Sequence, residues 1–170
     1  IPLEARFTQL CQRKIRVAYF YEKPDTSTFR YRVYNMIQAL QALDSEVGGM
    51  FFHNDDARHF RRIVDAADVI VICRMRYDER LNELATRARA QGKQVIFDVD
   101  DLIFDVEYTH LILRTLDQEI NPAALDFWYG YVGRIGSTLK QCTSAITTNA
   151  FLAHKIEKFA DIPVSIVPNF

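Results

Sequence analysis

Three carboxylates crowd one short stretch of this chain: Asp98, Asp100 and Asp101 close the apolar run that begins Val95-Ile96-Phe97, and Leu102-Ile103-Phe104-Asp105 follows. Acids held that near one another repel, so the stretch demands a compensating cation, a shared proton or a bound substrate. A carboxylate beside cations is suited to orienting or deprotonating a substrate hydroxyl. The cations to consider are Arg30 and Arg32, at the start of a helical pattern, and Arg74 with Arg76, just after a β-branched run. A cation in a first helical turn opposes the helix dipole by about 0.3–1 kcal/mol. Arg30 and Arg32 therefore predict either an anionic ligand or an ion pair with Asp98 or Asp100. Ser27 or Thr28 stands where that helix needs a cap.

These residues must be positioned by the elements around them. Short β-branched or apolar runs predict strands over 15–21, 47–52, 69–73, 94–97, 145–148 and 164–167, the second weakened by Gly48 and Gly49. Helical spacing predicts helices over 29–43, 55–66, 78–90, 122–142 and 150–159. Gly92 is the expected C-cap of the third helix, and Asn121 with Pro122 the N-cap and first residue of the fourth. The stretch 105–121 carries no regular pattern. Six βα-type units in one chain of 170 residues predict a single domain over 1–170 with a doubly wound, mostly parallel α/β sheet and helices on both faces, a Rossmann-like fold. Ligands of such folds bind beyond the carboxyl ends of the strands. Glu22, His53, Asn54, Arg74, Arg76, Asp98, Asp100, Asp101, Thr148, Asn149 and Asn169 gather there. Polar residues follow strands by position alone, so only the arginines and the acids exceed that background.

Composition narrows the classes. The net charge is -1, which gives no global field toward nucleic acid. No apolar stretch approaches the roughly 18 residues that span a bilayer, and the first residues lack a signal-peptide pattern, so a soluble, cytoplasmic domain is expected. Cys11, Cys73 and Cys142 are expected to be reduced, and the four histidines show no ligand spacing, so no metal is expected. The loop after the first strand, 22–32, contains no glycine, which argues against a dinucleotide-binding turn and a P-loop. Arg58, His59, Arg61 and Arg62 form a basic stripe, read as a solvated face balanced by Asp55, Asp56 and Asp65, with an anionic membrane surface as its alternative. Within Phe127-Trp128-Tyr129-Gly130-Tyr131, Trp128 and Tyr129 offer rings for a sugar or base, with core or helix contacts as the alternative that helical spacing favours.

Four segments carry a family resemblance: TSTFRYRVYNMIQAL, ADVIVICRMR, GKQVIFDVDDLIFD and SAITTNAFLAHKIEKFADIPVSIVPNF. With them the chain resembles the amino-terminal, acceptor-side domain of a GT-B glycosyltransferase of the family 4 type. The resemblance implies transfer of a sugar from a nucleotide-sugar donor to a saccharide or lipid-linked acceptor in polysaccharide or glycoconjugate synthesis, at the cytoplasmic side of a membrane and without a metal or other cofactor. It implies that the donor is held mainly by a carboxyl-terminal domain with a Glu-x7-Glu pair, which this chain lacks, and that these residues alone are inactive. By the same resemblance Asp98, Asp100 and Asp101 lie near the interdomain cleft as catalytic candidates. Arg30, Arg32, Arg74, Ser27, Asn149 and Asn169 are implied substrate-binding residues, the arginines meeting an acceptor phosphate or the donor's pyrophosphate. The sequence departs from the family where Phe170 replaces a glycine after Asn169, and where residues 24–30 replace a Gly-Gly pair. A rival resemblance is to haloacid-dehalogenase-type phosphatases, with Asp98 as nucleophile, Asp100 as acid/base, and Thr147 or Thr148 with Lys155 in the later motifs. A non-catalytic Rossmann-like interaction domain is the third reading.

Overall fold

Val17, Tyr19 and Tyr21 point to one side of their strand and Ala18 and Phe20 to the other, and all five are buried. A strand buried on both faces belongs inside a covered parallel sheet. The computed structural model describes residues 1–24, 27–43, 46–117 and 119–169. In chain order its elements are α1 (Leu3–Leu10), β1 (Ile15–Tyr21), a π-helical segment (Phe29–Tyr34) continuing into α2 (Asn35–Ala42), and β2 (Val47–His53). A 3-10 segment (Asn54–His59) then leads into α3 (Phe60–Ala66), followed by β3 (Val69–Cys73), α4 (Glu79–Ala90) and β4 (Gln94–Val99). A second 3-10 turn (Val106–Tyr108) enters α5 (Thr109–Thr115), and α6 (Pro122–Leu139), β5 (Ser144–Thr147), α7 (Ala150–Ala160) and β6 (Val164–Ile166) complete the order.

The six strands form one parallel sheet in the order β2-β1-β3-β4-β5-β6. This is the doubly wound α/β architecture that the alternating pattern predicts. The chain moves from β1 outward to β2, then crosses back to place β3 on the other side of β1, so the winding direction reverses between β1 and β3. Their connections leave in opposite directions and open a crevice above their carboxyl ends.

Each face of the sheet has its own core. Val17, Tyr19, Tyr21, Val71 and Cys73 pack against Phe29, Val33, Met36 and Ile37 of the π-helical segment and α2. The opposite face is larger, uniting Ala18, Phe20, Ile70, Ile72, Val95, Phe97 and Val99 with apolar residues of α3, α4, α6 and α7. No helix among the described residues is long and apolar enough to cross a membrane.

The structure differs from the sequence reading in four places. The amino end forms α1, whose Leu3, Phe7 and Leu10 meet the larger core. Arg6 of that helix is buried and forms a bidentate pair with Asp56, 2.6 and 2.8 Å, which also accepts from the His53 amide at 3.0 Å. Burial works against the Asp56 charge, but those hydrogen bonds hold its carboxyl below its ordinary value. The stretch 105–121 contains a 3-10 turn and α5, and β4 runs on to Val99, so that Asp98 lies inside the strand. The helix expected over 29–43 begins as a π-helix. Gly92, at φ +70°, follows α4 in the left-handed conformation a C-terminal glycine supplies.

One glycine fixes how α6 docks beside the site. A Cβ on Gly136 would lie 2.2 Å from the Phe104 carbonyl oxygen and 2.9 Å from Cζ of Phe159. Backbone cannot yield as a side-chain tip does, so Gly136→Ala must push α6 away from the segment that follows the acids. A loss of about 1–3 kcal/mol is expected in urea unfolding. Gly130→Ala on the same helix, where a Cβ meets nothing within 4 Å, is expected to be neutral or slightly stabilising.

Candidate functional site

The crevice at the winding reversal holds a cleft of about 300 Å³ lined by Tyr21, Glu22, Lys23, Pro24, Arg74 and Tyr131. The end of β1 supplies Glu22, the residue after β3 supplies Arg74, and α6 brings Tyr131 across. Arg74 has a φ of 51°, the left-handed region that a non-glycine residue occupies only when its surroundings hold it there. Its amide donates to the Asp98 carbonyl at 3.1 Å, fastening the end of β3 to β4. From that bend its Nη1 donates to Thr28 Oγ1 (2.7 Å), Asp100 Oδ1 (3.1 Å) and Asp101 Oδ2 (2.9 Å).

Arg74 is therefore the cation that the crowded acids require. Burial opposes its charge, yet Asp100, Tyr131 and Asp101 more than offset that, and its pKa is raised. The two acids differ in access: the Asp100 side chain is 14% exposed and that of Asp101 59%. Beside them Arg76 binds Glu22, its amide and Nε donating to Oε1 at 2.7 and 2.8 Å and its Nη2 to Oε2 at 2.8 Å. Glu22 is thus held in one orientation at the cleft wall, and the Arg76 guanidinium lies over the Tyr131 ring at 5.3 Å.

The third acid lies beneath this rim. Alternation along β4 turns Asp98 to the same face as Ile96, under the π-helical segment. There Arg32 meets it: Nε donates to Oδ1 at 2.8 Å, Nη2 lies 2.8 Å from the same oxygen, and neither side chain has any exposed surface. Arg32 Nη1 also donates to the Val167 carbonyl (2.6 Å) and Asn169 Oδ1 (3.2 Å), which ties the segment after β6 to the middle of the sheet. Asp98 Oδ2 and Arg32 Nη2 make no hydrogen bond among the described residues. Burial pushes the Asp98 carboxyl up to about 7, with Arg32 pulling it back and Asp100 adding to the rise.

These placements sort the expected site residues. Arg74 lines the cleft and draws Asp100 and Asp101 together at its guanidinium. Asp98 and Arg32 do not reach it: they form the ion-pair alternative, and a fully buried carboxylate cannot meet an acceptor hydroxyl or attack a phosphate. Of the later motifs of the phosphatase reading, the Thr147 hydroxyl is buried and donates to the Val99 carbonyl at 2.7 Å, Thr148 Oγ1 accepts from the Asn149 side-chain amide at 3.0 Å, and Lys155 donates to the Tyr108 hydroxyl at 2.6 Å. Asn149 caps α7, accepting from the Leu152 amide at 3.0 Å, and Asn169 serves Arg32. Ser27 and Arg30 are exposed, on the segment that carries Arg32. Asp25 and Thr26 of the first loop, and Phe170, lie outside the described residues. The basic stripe is divided, Arg62 pairing with Glu4 at 2.7 Å and covering Phe7, while Arg58 and Arg61 line a groove beside α4.

The pairing of Glu22 with Arg76 and the place of Tyr131 at the cleft were not foreseen, although Glu22 and Arg76 were both expected at the rim. Glu22 stands at a strand end and carried that much signal, but nothing local in the sequence brings a helix so far along the chain over β1.

No protein-family model and no curated protein matches the chain. Two solved structures resemble it. One, from Phytolacca americana, is UGT2 complexed with UDP-2fluoro-glucose and pterostilbene: 11% identity, TM-score 0.45, covering 89% of this chain and 52% of that one. The other is a UDP-glucosyltransferase from Polygonum tinctorium capable of glucosylating indoxyl, in complex with 3,4-dichloroaniline: 12% identity, TM-score 0.43, covering 99% of this chain and 48% of that one. The chain spans about half the length of each.

Proposed function

We propose that this chain is the acceptor-side domain of a GT-B glycosyltransferase of the family 4 type, moving a sugar from a nucleotide-sugar donor to a hydroxyl of a saccharide or lipid-linked acceptor. The observation that carries this reading is the cleft at the β1/β3 reversal. There the half-buried Arg74, which lines the cleft together with the clamped Glu22, also binds the accessible carboxylate of Asp101. The motif resemblance of the four segments points the same way.

Each group then has a task. Asp101 accepts a hydrogen bond from the attacking hydroxyl and draws off its proton as the new bond to the sugar's anomeric carbon forms. The bond from that carbon to the donor phosphate breaks, and the electron pair leaves with the nucleoside diphosphate. Arg74 holds Asp101 in place by its hydrogen bond, and its remaining edge lines the cleft. Glu22, fixed by Arg76, accepts from further acceptor hydroxyls and so sets which one is presented. Asp98 and Arg32 hold the floor and the exit of the chain in register. The nucleotide sugar is held mainly by a second domain that closes over this rim.

The test is the coding sequence beyond Phe170 and the binding behaviour of the protein it encodes. A second α/β half with a Glu-x7-Glu pair, and saturable nucleotide-sugar binding that the 170 residues alone lack, are expected. A full-length protein without that half that hydrolyses phosphomonoesters with Mg²⁺ would overturn the reading.

A further inference from the structure

The aromatic cluster on α6 is not used by the chemistry above, yet it adjoins the cleft. Phe127 and Tyr131, four residues apart, share one face of the helix and lie nearly parallel, with centroids 5.9 Å apart and planes at 27°. Trp128 closes on both edge-on, at 5.3 Å from Phe127 and 5.6 Å from Tyr131. Rings grouped on a helix ordinarily face a core, but Phe127 remains 54% exposed, and the shelf continues from Tyr131 straight into the cleft wall. The Arg76 guanidinium packs on Tyr131 while binding Glu22, so an apolar platform and a fixed, charged hydrogen-bonding edge meet at one place.

We infer that Phe127, Trp128 and Tyr131 form a ring-stacking subsite for a pyranose unit, whose hydroxyls meet Glu22 and Arg74. A pyranose presents both surfaces this place requires. Its C–H face suits the electron-rich face of an aromatic ring, and its hydroxyl edge pairs with carboxylate and guanidinium. A purely aromatic ligand would fill the shelf and leave the charged edge of the cleft without partners. In assigning this unit to the acceptor the inference rests on the glycosyltransferase reading, and it names a saccharide as the acceptor class.

Trp128 is the sole tryptophan of the chain, so its fluorescence reports on the shelf directly. The 170-residue chain is titrated with maltose, cellobiose and the methyl glycosides of glucose, galactose and mannose, with p-nitrophenol as the aromatic probe. At least one saccharide is expected to change the emission saturably and to protect it from acrylamide quenching. Phe127→Ala, at an exposed position that should leave folding intact, is expected to weaken that binding about tenfold, and Tyr131→Ala by as much or more. Silence of all saccharides, a response to p-nitrophenol alone, or unchanged affinity in both variants overturns the subsite. Saccharide binding that depends on Phe127, in a full-length protein that transfers no sugar, would keep the subsite and remove the glycosyltransferase reading instead.

Discussion

Arg32→Met is expected to cost about 3–5 kcal/mol of folding stability, because it leaves the Asp98 carboxyl in the sheet with no compensating charge. The double substitution Arg32→Met with Asp98→Leu is expected to recover most of that loss, since apolar replacement of a whole buried pair is often neutral. Urea unfolding of the two variants and the parent measures both effects. The same pair dictates a pH signature. In the unfolded chain Asp98 titrates near 3.8, and in the fold at about 7, so between those values the native state keeps a proton that the unfolded state has released. The Asp98 contribution to stability therefore falls as pH rises from about 4 to about 7, by at most about 1.4 kcal/mol per pH unit, and is constant outside that window. Asp98→Asn should abolish this slope, and Arg32→Met should carry it above pH 7 as the carboxyl loses its cation. A parent protein with no such slope would show that Asp98 remains ionised throughout.

Asp101→Asn is the second large effect, and it falls on chemistry rather than folding. An exposed ion pair contributes about 0–1 kcal/mol, so the variant should unfold close to the parent midpoint. If Asp101 takes the proton of the attacking hydroxyl, as proposed, its loss should lower kcat of the full-length protein by about 10²–10⁴-fold with KM for the acceptor little changed. Glu22→Gln should show the opposite division, a raised acceptor KM with a smaller change in kcat, since the proposal gives it a positioning role only. Arg74→Met should lose both activity and stability, since one guanidinium serves Thr28, Asp100 and Asp101 from a strained backbone position.

The division between what the sequence disclosed and what it withheld follows from the range of each signal. Parallel strands buried on both faces must be continuous β-branched and aromatic runs, so Val69–Cys73 and Ile15–Tyr21 were legible, and the βα alternation carried the topology with them. Asn121 and Asn149 cap helices by contacts three residues away, which local pattern captures. Arg6 was opaque for the opposite reason, and Arg32 was legible only as one of two alternatives, a ligand-binding residue or a partner of the acids. Their partners lie 50 and 66 residues distant, and a charge in an apolar helix face looks like a solvated or ligand-binding residue until its partner is placed. The π-helical geometry around Arg32 was equally hidden, because its residues have ordinary helical composition. At the site, the acidic run was legible as a cluster but not as three different environments. Only the alternation of β4 and its true length separate the buried Asp98 from the accessible Asp101.

Sugar transfer by the protein that contains this domain is the most direct measurement. The protein is incubated with nucleotide sugars and a saccharide acceptor, and products are read by mass spectrometry for the parent and for Asp101→Asn. The expected result is a new glycoside and one equivalent of nucleoside diphosphate from the parent, both reduced at least a hundredfold in the variant. Equal transfer by the two proteins, or no transfer from any nucleotide sugar alongside intact folding, would contradict it.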